Sequence, residues 1–442
     1  MDRRKFLQNS GYAAGISLVL PAVSCTPSSG VDSSVIEVPK DLSLDTWAGV
    51  RNNFNLRPDR IHMSQMLLAS HPTPVREAIE KHRKNFDENP FEYWEHNWIE
   101  AEKVVCKAAA NYLNADPAEV VLTDSTTMGL GILYSGLKLK PGDEILTTTH
   151  DHYSTEKSLE FAAAKTGATM RRISLYKDPA TITADGVTEI LIKAISPKTR
   201  IIAVTWVHSV NGVKLPIRKM SDAIKTVNEK RTEANRIYFC VDGVHGFGVE
   251  NITMADLGCD FFVAGTHKWM FGPRGTGILW GKKDAWEMLA PVIPAFRMAP
   301  YYMWMGVVPE AHINFTDLCS PGGFFAFEHR WSLNEAFDFH MKIGKAKIEE
   351  RTHQLSSILK EGLKKNKKIR LVTPVDPSLS SGINCFDVEG VKPEEVVKHL
   401  LGKNILASTT PYKEVHARIT PSVINTEDEV AYCLDALEEM RV

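Results

Sequence analysis

Short apolar runs alternate with amphipathic segments between about residues 119 and 281. Segments with helical spacing separate several of these runs, for example 126–137 and 216–231. This alternation is typical of βαβ units, so we predict an α/β fold with a mostly parallel, doubly wound sheet. Any ligand is then expected beyond the carboxyl ends of the strands. The predicted strands are 119–123, 144–148, 170–175, 200–206, 236–241, 260–264 and 277–280.

The pattern changes after about residue 332, where a long charged helical segment, 333–364, begins. Short strands and two further helices follow it, near 370–373, 382–386, 393–401 and 427–441. A chain of 442 residues exceeds the usual size of a single core. We therefore predict a tether and N-terminal arm over 25–55, a large domain over 56–330 and a smaller α+β C-terminal domain over 331–442.

Composition adds little to this picture. An apolar content of 43% and a charged content of 24% are ordinary for a globular protein. The net charge of −2 gives no reason to expect nucleic acid as a partner.

The N-terminus carries a separate signal. Arg3 and Arg4 belong to a twin-arginine export pattern, and the modestly apolar stretch 11–23 is too short for a permanent membrane helix. We predict a twin-arginine signal peptide over 1–24 and export to the periplasm; the alternative is an ordinary basic helix. Cys25 stands where a lipoprotein cysteine would stand, so the two expectations are a membrane-anchored lipoprotein with a lipid anchor at Cys25 and a plainly secreted protein.

Two side chains with complementary chemistry follow neighbouring predicted strands. Asp242 ends one apolar run, and Lys268 follows the next. Pyridoxal phosphate (PLP) enzymes need a carboxylate that keeps the pyridinium nitrogen protonated and a lysine that forms a Schiff base with the aldehyde. We predict these catalytic roles for Asp242 and Lys268, against the alternatives of a turn-capping aspartate and a surface lysine.

A hydroxyl-rich turn precedes a predicted helix at Ser125, Thr126 and Thr127. Free N–H groups at a helix N-terminus, together with hydroxyls, make a phosphate cradle. The alternative is an ordinary helix cap.

The run from 241 to 277 as a whole resembles class V (fold-type I) PLP-dependent enzymes, the aminotransferase family that includes cysteine desulfurases, kynureninases and isopenicillin N epimerase-like proteins. The resemblance extends from about Arg60 to the C-terminus, and the spelling is nearest to the isopenicillin N epimerase-like branch. The segments that carry it are VDGVH at 241–245, GTHKW at 265–269 and GPRGTG at 272–277. It implies the PLP-dependent transferase fold of type I and PLP as the cofactor.

The same resemblance implies contacts with the cofactor. His152 takes the position of a residue that stacks on the PLP ring, which adds it to the predicted catalytic residues. His245 is placed to hydrogen-bond the ring oxygen O3′, and His267 to contact the phosphate. Ser209 stands where relatives often carry an asparagine near O3′, and Gly265 where they often carry a phosphate-binding serine.

Substrate contacts and assembly are also implied by resemblance. Arg418 lies in a segment whose arginine grips the substrate α-carboxylate. Arg330 lies where relatives carry a Gly-Thr-Arg segment that reaches the neighbouring subunit, and His329 replaces the threonine. A homodimer with shared active sites is therefore expected.

The reaction is left open between two outcomes. Transamination and epimerisation of an amino-acid-type substrate share α-proton removal, with Lys268 as the base. Cysteine desulfuration is disfavoured, because the loop around 408–411 has no cysteine. Two readings from other classes remain: an exported metal-dependent hydrolase that uses His150 and His152, and a non-catalytic solute-binding lipoprotein.

Overall fold

A seven-stranded sheet forms the centre of the protein in a computed structural model that describes residues 41–309 and 313–440. The order is β2-β8-β7-β6-β5-β3-β4, and every neighbouring pair is parallel except the two that β8 makes. The mostly parallel sheet predicted from the apolar runs is confirmed. Its strands are β2 (Val120–Thr123), β3 (Glu144–Thr148), β4 (Thr169–Ile173), β5 (Thr199–Thr205), β6 (Tyr238–Asp242), β7 (Phe261–Gly265) and β8 (Gly277–Gly281).

Both faces of the central strands are covered, which explains why β5, β6 and β7 are buried throughout, whereas the edge strand β4 is partly exposed. Ile202 and Val204 of β5 belong to one buried cluster, while Ile201 and Ala203 belong to another. Because successive side chains of a strand point to opposite faces, these two clusters are the two sides of the sheet.

Helices fill the layers on either side. No helix among the described residues is long and apolar enough to cross a bilayer. The helices before the last sheet strand are α1 (Trp47–Asn52), α2 (Thr73–Glu88), α3 (Pro90–Leu113), α4 (Thr126–Gly136), α5 (Tyr153–Thr166), α6 (Ala184–Lys193), α7 (Ile217–Asn228) and α8 (Met254–Leu257). Those after it are α9 (Met298–Trp304), α10 (Phe315–Cys319), α11 (Phe327–Arg330), α12 (Leu333–Ile343), α13 (Lys345–Lys365), α14 (Pro393–Gly402) and α15 (Glu427–Glu438).

A smaller antiparallel sheet, in the order β12-β13-β10-β9, lies in the C-terminal part of the chain. A separate parallel pair joins β1 (Ile61–His62) to β11 (Ile405–Leu406). Leu355, Phe386 and Val430 share a further buried cluster, so helices α13 and α15 pack on this small sheet. The other strands are β9 (Ile369–Leu371), β10 (Asn384–Val388), β12 (Ser408–Thr409) and β13 (Ala417–Ile419).

The single helix predicted over 333–364 is wrong. Gly344 has φ +98°, a backbone conformation that breaks the segment into α12 and α13. The described residues from 41 onward form one compact unit, so the domain boundaries at 56 and 331 stay predictions. The predicted signal peptide and Cys25 lie outside the described residues.

Candidate active site

Five strand ends meet at one edge of the large sheet. Thr123, Thr148, Thr205, Asp242 and Gly265 are the last residues of β2, β3, β5, β6 and β7, and the strands run in the same direction. The predicted site residues follow these ends directly, as expected for an open parallel sheet. The site is therefore framed by backbone that the sheet hydrogen bonds hold in place.

Asp242 presents a buried carboxylate at the end of β6. The residue is 1% exposed and accepts hydrogen bonds from Thr155 Oγ1 at 3.1 Å and from the Val244 N–H at 3.2 Å. Burial raises the pKa of Asp242 to about 6, while the charge of Lys268 and the hydrogen bonds act in the opposite direction. A buried carboxylate without a directly bonded cation is a favourable partner for a protonated ring nitrogen.

Lys268 follows β7 and is half-buried. Its Nζ lies 3.3 Å from His245 Nε2, and the indole of Trp269 donates to His245 Nδ1 at 3.3 Å. Burial lowers the pKa of Lys268 to about 8; the charge of Asp242 opposes this shift and that of Arg418 adds to it. An amine with a lowered pKa has a larger unprotonated fraction near neutral pH, the form that attacks an aldehyde.

The turn at Ser125 caps helix α4. Ser125 Oγ accepts from the Met128 N–H at 3.1 Å, so the N–H groups of Thr126 and Thr127 are at the unbonded first turn of α4. Thr126 Oγ1 accepts from the Gly265 N–H at 2.8 Å. A Cβ added at Gly265 would lie 2.8 Å from the same oxygen, so a side chain at this position would displace the Thr126 hydroxyl.

His267 adds a ring to this end of the site. Its Nδ1 is buried without a partner among the described residues, and burial lowers its pKa. Unbonded helix N–H groups, a threonine hydroxyl and an unsatisfied imidazole nitrogen are the donor types that a phosphate group needs. The residues present therefore fit the phosphate end of the cofactor predicted from the sequence.

His152 caps α5 and reaches the site from β3. Its Nδ1 accepts from the Ser154 N–H at 3.2 Å, and its ring meets the Tyr412 ring edge-on at 6.2 Å. Burial, and then the charge of Lys268, lower the pKa of His152, as expected for an imidazole close to the lysine. Ser209 Oγ lies 2.6 Å from the Tyr412 hydroxyl, which places Ser209 beside the same ring.

Arg418 lies in β13 and is 1% exposed. Its guanidinium donates to Ser209 O at 2.8 Å, to Ser408 Oγ at 3.1 Å and to Thr409 O at 3.2 Å. All three acceptors are neutral, so the buried cation lacks a bonded anion among the described residues. A carboxylate is the ligand that would complete it.

Arg330 does not join this group. It is 3% exposed, donates to Asp124 Oδ1 at 2.5 Å, lies 3.5 Å from a Glu102 oxygen and stacks 3.5 Å from the centre of the Phe325 ring. Its charge is thus used within the chain, and the structure lends no support to the substrate-binding role predicted for it.

The two histidines of the metal hypothesis are likewise not brought together as ligands. His150 Nε2 accepts from the Leu175 N–H at 3.2 Å, and its ring stacks on Tyr176 at 3.9 Å. In the described part of the chain, the three-residue group with metal-ligand spacing lies elsewhere, at Glu250, Glu349 and His353.

Sequence reasoning missed two contributors, Thr155 and Tyr412. Thr155 binds Asp242, and Tyr412 borders Ser209 and His152. They belong to no local motif, and only the fold places them. Asp151, which lies between His150 and His152, connects β3 to β5 by accepting hydrogen bonds from the Thr205 N–H at 2.5 Å and from the Thr148 N–H at 2.8 Å.

Comparisons with known proteins place the chain in one family. The profile of the family Aminotransferase class-V matches residues 69–411. A probable cysteine desulfurase from Halalkalibacterium halodurans is 29% identical over 63% of this chain and 64% of the relative. An isopenicillin N epimerase from Amycolatopsis lactamdurans is 23% identical over 89% of this chain and 98% of the relative. A solved structure of the cystine C-S lyase C-DES, a mutant with glycine covalently linked to its PLP cofactor, has a TM-score of 0.78 at 22% identity and covers 88% of this chain and 99% of that one.

Proposed function

The chain belongs to the class-V aminotransferase family, and on that premise we propose that it is a PLP-dependent enzyme that converts an amino-acid-type substrate by transamination or epimerisation. The observation that carries the proposal is the convergence of the Lys268 amine and the buried Asp242 carboxylate at the ends of neighbouring strands β7 and β6. When bound, PLP supplies an electron sink for charge that develops at the substrate α-carbon.

The residues of this chain divide the remaining work. Thr126, Thr127 and His267 would hold the phosphate, and Asp242 would hold the ring nitrogen. Lys268 would hold the cofactor through its amine and would serve as the base that accepts the substrate α-proton. His152 would cover the ring and exclude water from one side.

Arg418 supports an amino acid as the substrate. A guanidinium that is bonded only to neutral oxygens, in a buried position, gains most from a carboxylate that arrives with the ligand. This arrangement would orient the α-carbon toward Lys268.

The described cysteines argue against desulfuration. A desulfurase needs a mobile, reactive thiolate. All six cysteines in the described part of the chain are buried, and none lies in the loop between β12 and β13. Burial raises their pKa values, for example to about 12 for Cys385 and about 11 for Cys106.

Covalent labelling of the full-length protein tests the cofactor assignment. We expect a visible absorption band after addition of PLP, its loss on borohydride reduction, and a pyridoxyl label on Lys268 in peptide mapping. Lys268→Ala should abolish the band. Lys345→Met is the matched control, because burial also lowers the pKa of Lys345 to about 8 and yet it lies at the start of α13. A colourless wild-type protein with no adduct would refute the proposal.

A panel of L- and D-amino acids in deuterated water separates the two reactions. Exchange of the α-proton with retention of the amine favours epimerisation. Formation of a keto acid and pyridoxamine phosphate favours transamination.

We also propose that the working form is an exported homodimer. The export signal at 1–24 supports the first part, with secretion and a lipid anchor at Cys25 as the alternatives. A stack of aromatic rings that reaches the surface at Phe324 supports the second.

A further inference from the structure

In the hydrogen bond between Trp269 and His245, only the indole N–H can be the donor. An indole N–H is a donor and never an acceptor, so the contact of Trp269 Nε1 with His245 Nδ1 at 3.3 Å requires an unprotonated Nδ1. A neutral imidazole with a free Nδ1 carries its proton on Nε2. That nitrogen lies 3.3 Å from Lys268 Nζ.

The surroundings keep His245 neutral. The residue is 5% exposed, and burial lowers its pKa well below the usual value. The charges of Lys268, Arg418, His152 and His267 act in the same direction. The proton on Nε2 is therefore the single proton of a neutral ring.

Packing fixes the direction of the indole. Trp269 is 2% exposed, and a Cβ added at Gly382 would lie 2.5 Å from its Cη2 atom. Backbone atoms of the residue would lie 2.7 Å from a Cβ added at Gly248. Because the buried ring packs against Gly382 and the backbone of Trp269 packs against Gly248, the indole cannot turn its N–H away from His245 without displacing its neighbours.

We propose that Trp269 is a positioning residue which fixes the tautomer of His245, so that His245 is always a hydrogen-bond donor toward Lys268 Nζ. The inference rests on the proposed function of Lys268. A donor that faces the amine favours its unprotonated form, whose lone pair accepts the hydrogen bond. The opposite tautomer would present a lone pair and favour the ammonium form, which does not react with an aldehyde.

The pH dependence of cofactor uptake by the full-length apoprotein tests this role. The rate constant is read from the visible band, and only unprotonated Lys268 reacts. For the wild type we expect a midpoint near pH 8, the pKa toward which burial lowers Lys268 against the charge of Asp242. In Trp269→Phe, loss of the donor should raise the midpoint by about 0.5 to 1 pH unit, the equivalent of one hydrogen bond.

Trp286→Phe is the matched control. Trp286 is 3% exposed and its indole also donates a buried hydrogen bond, to Gly281 O at 2.7 Å, in the cluster on the other face of the sheet. Trp286→Phe should lower the free energy of unfolding about as much as Trp269→Phe does, but it should not change the pH midpoint of cofactor uptake. Equal midpoints in Trp269→Phe and the wild type would overturn the inference.

A double variant shows whether the effect passes through His245. In a His245→Leu background, Trp269→Phe should produce no further shift in midpoint; a further shift of the same size would contradict the inference. Nitrogen NMR of the wild-type protein measures which nitrogen of His245 carries the proton, and this test does not require any variant to fold. A proton on His245 Nε2 supports the inference, and a proton on Nδ1 overturns it.

The outcomes separate this inference from the proposed function. If the wild type takes up no PLP at Lys268, the proposed function fails. If it takes up PLP and Trp269→Phe behaves as Trp286→Phe does, only the role of Trp269 fails.

Discussion

Arg418 illustrates how a buried cation can specify a substrate. Its guanidinium is held by Ser209, which follows β5, and by Ser408 and Thr409 of β12, so two separate stretches of chain contribute. These contacts fix the plane of the fork without neutralising its charge. The guanidinium of Arg418 is thus suited to bind a planar anion through two hydrogen bonds, and the ammonium group of a lysine would bind such an anion less well.

Arg418→Lys should raise KM for amino-acid substrates by about 10-fold to 100-fold, because one charge-assisted hydrogen bond contributes about 1.5 to 3 kcal/mol. The visible band of the bound cofactor should be retained. Steady-state kinetics on the best substrate of the panel measures the change.

Arg351→Lys is the control for this prediction. Arg351 is also buried, but it already pairs with both oxygens of Glu427, at 2.5 and 2.9 Å. It should lower stability and leave KM unchanged. An unaltered KM in Arg418→Lys would show that the carboxylate binds elsewhere.

The sequence predicts those site residues that come directly after a strand. Asp242, Lys268 and the turn at Ser125 were found because an apolar run ends just before each of them. The role of Arg330 stays a prediction, and sequence spacing does not reveal that Asp124 and Glu102 pair with it within the chain. The Tyr412 ring could not be placed, since its neighbours Ser209 and His152 lie far away in sequence.

At the scale of elements, Gly344 separates helix α12 from helix α13. The φ of +98° at this residue suits glycine, and a Cβ there would meet nothing closer than 3.9 Å. The penalty for a side chain is therefore one of backbone conformation and not of crowding. Apolar periodicity runs through the residue, which is why the pattern alone predicted one helix.

Gly344→Ala should lower the free energy of unfolding by about 1 to 2 kcal/mol. Gly402, in α14, also has open space around it, and its φ is not positive. Gly402→Ala should instead be neutral or raise the free energy of unfolding, by up to about 1 kcal/mol, through helix propensity. Urea unfolding of the two variants gives the comparison, and equal effects would contradict the explanation.

Glu250 joins several elements at once. Its carboxylate accepts from Lys214 Nζ at 2.6 Å, from Ser381 Oγ at 2.5 Å and contacts His353 Nε2 of α13 at 2.9 Å. Burial alone would raise the pKa of Glu250, but the hydrogen bond from His353 and the charge of Lys214 lower it to about 2.

Glu250→Gln should lower the free energy of unfolding at pH 7 by about 3 kcal/mol, because Lys214 loses a buried partner. Since the folded-state pKa lies below the ordinary value near 4.5, this stabilisation is fully present above pH 4.5 and is lost as pH falls toward 2. The difference between variant and wild type should shrink over that window in urea titrations. Glu349→Gln, one helical turn from His353 on α13, is the control and should cost less than about 1 kcal/mol; a constant difference with pH would argue against the ion pair.

At the scale of the whole molecule, a stack of aromatic rings reaches the surface at Phe324. Phe324 is 72% exposed and stacks with Trp94 at 5.8 Å, and Trp94 stacks with Trp98 at 5.0 Å. A cavity of about 370 Å³ opens beside these rings. Apolar surface of this kind is typical of an interface between protein chains.

If the protein is a homodimer through this region, Phe324→Asp should weaken self-association by about 30-fold or more, the effect of a central interface residue. Sedimentation equilibrium of the full-length protein measures it. Phe161→Asp, at a site 67% exposed on α5, should leave association unchanged. A monomeric wild type at micromolar concentration would contradict the expectation.

The pairing of β1 with β11 has a consequence for synthesis. The Ile61 N–H donates to Asn404 O at 2.9 Å, and the Met63 N–H donates to Leu406 O at 3.0 Å. Strand β1 therefore cannot pair until the ribosome has synthesised β11, which lies near the end of the chain. A premature stop codon before residue 404 would leave those amides unbonded and Met63 without the cluster it fills. Chains truncated before residue 404 should therefore be degraded completely by proteases and should not accumulate as folded, active fragments.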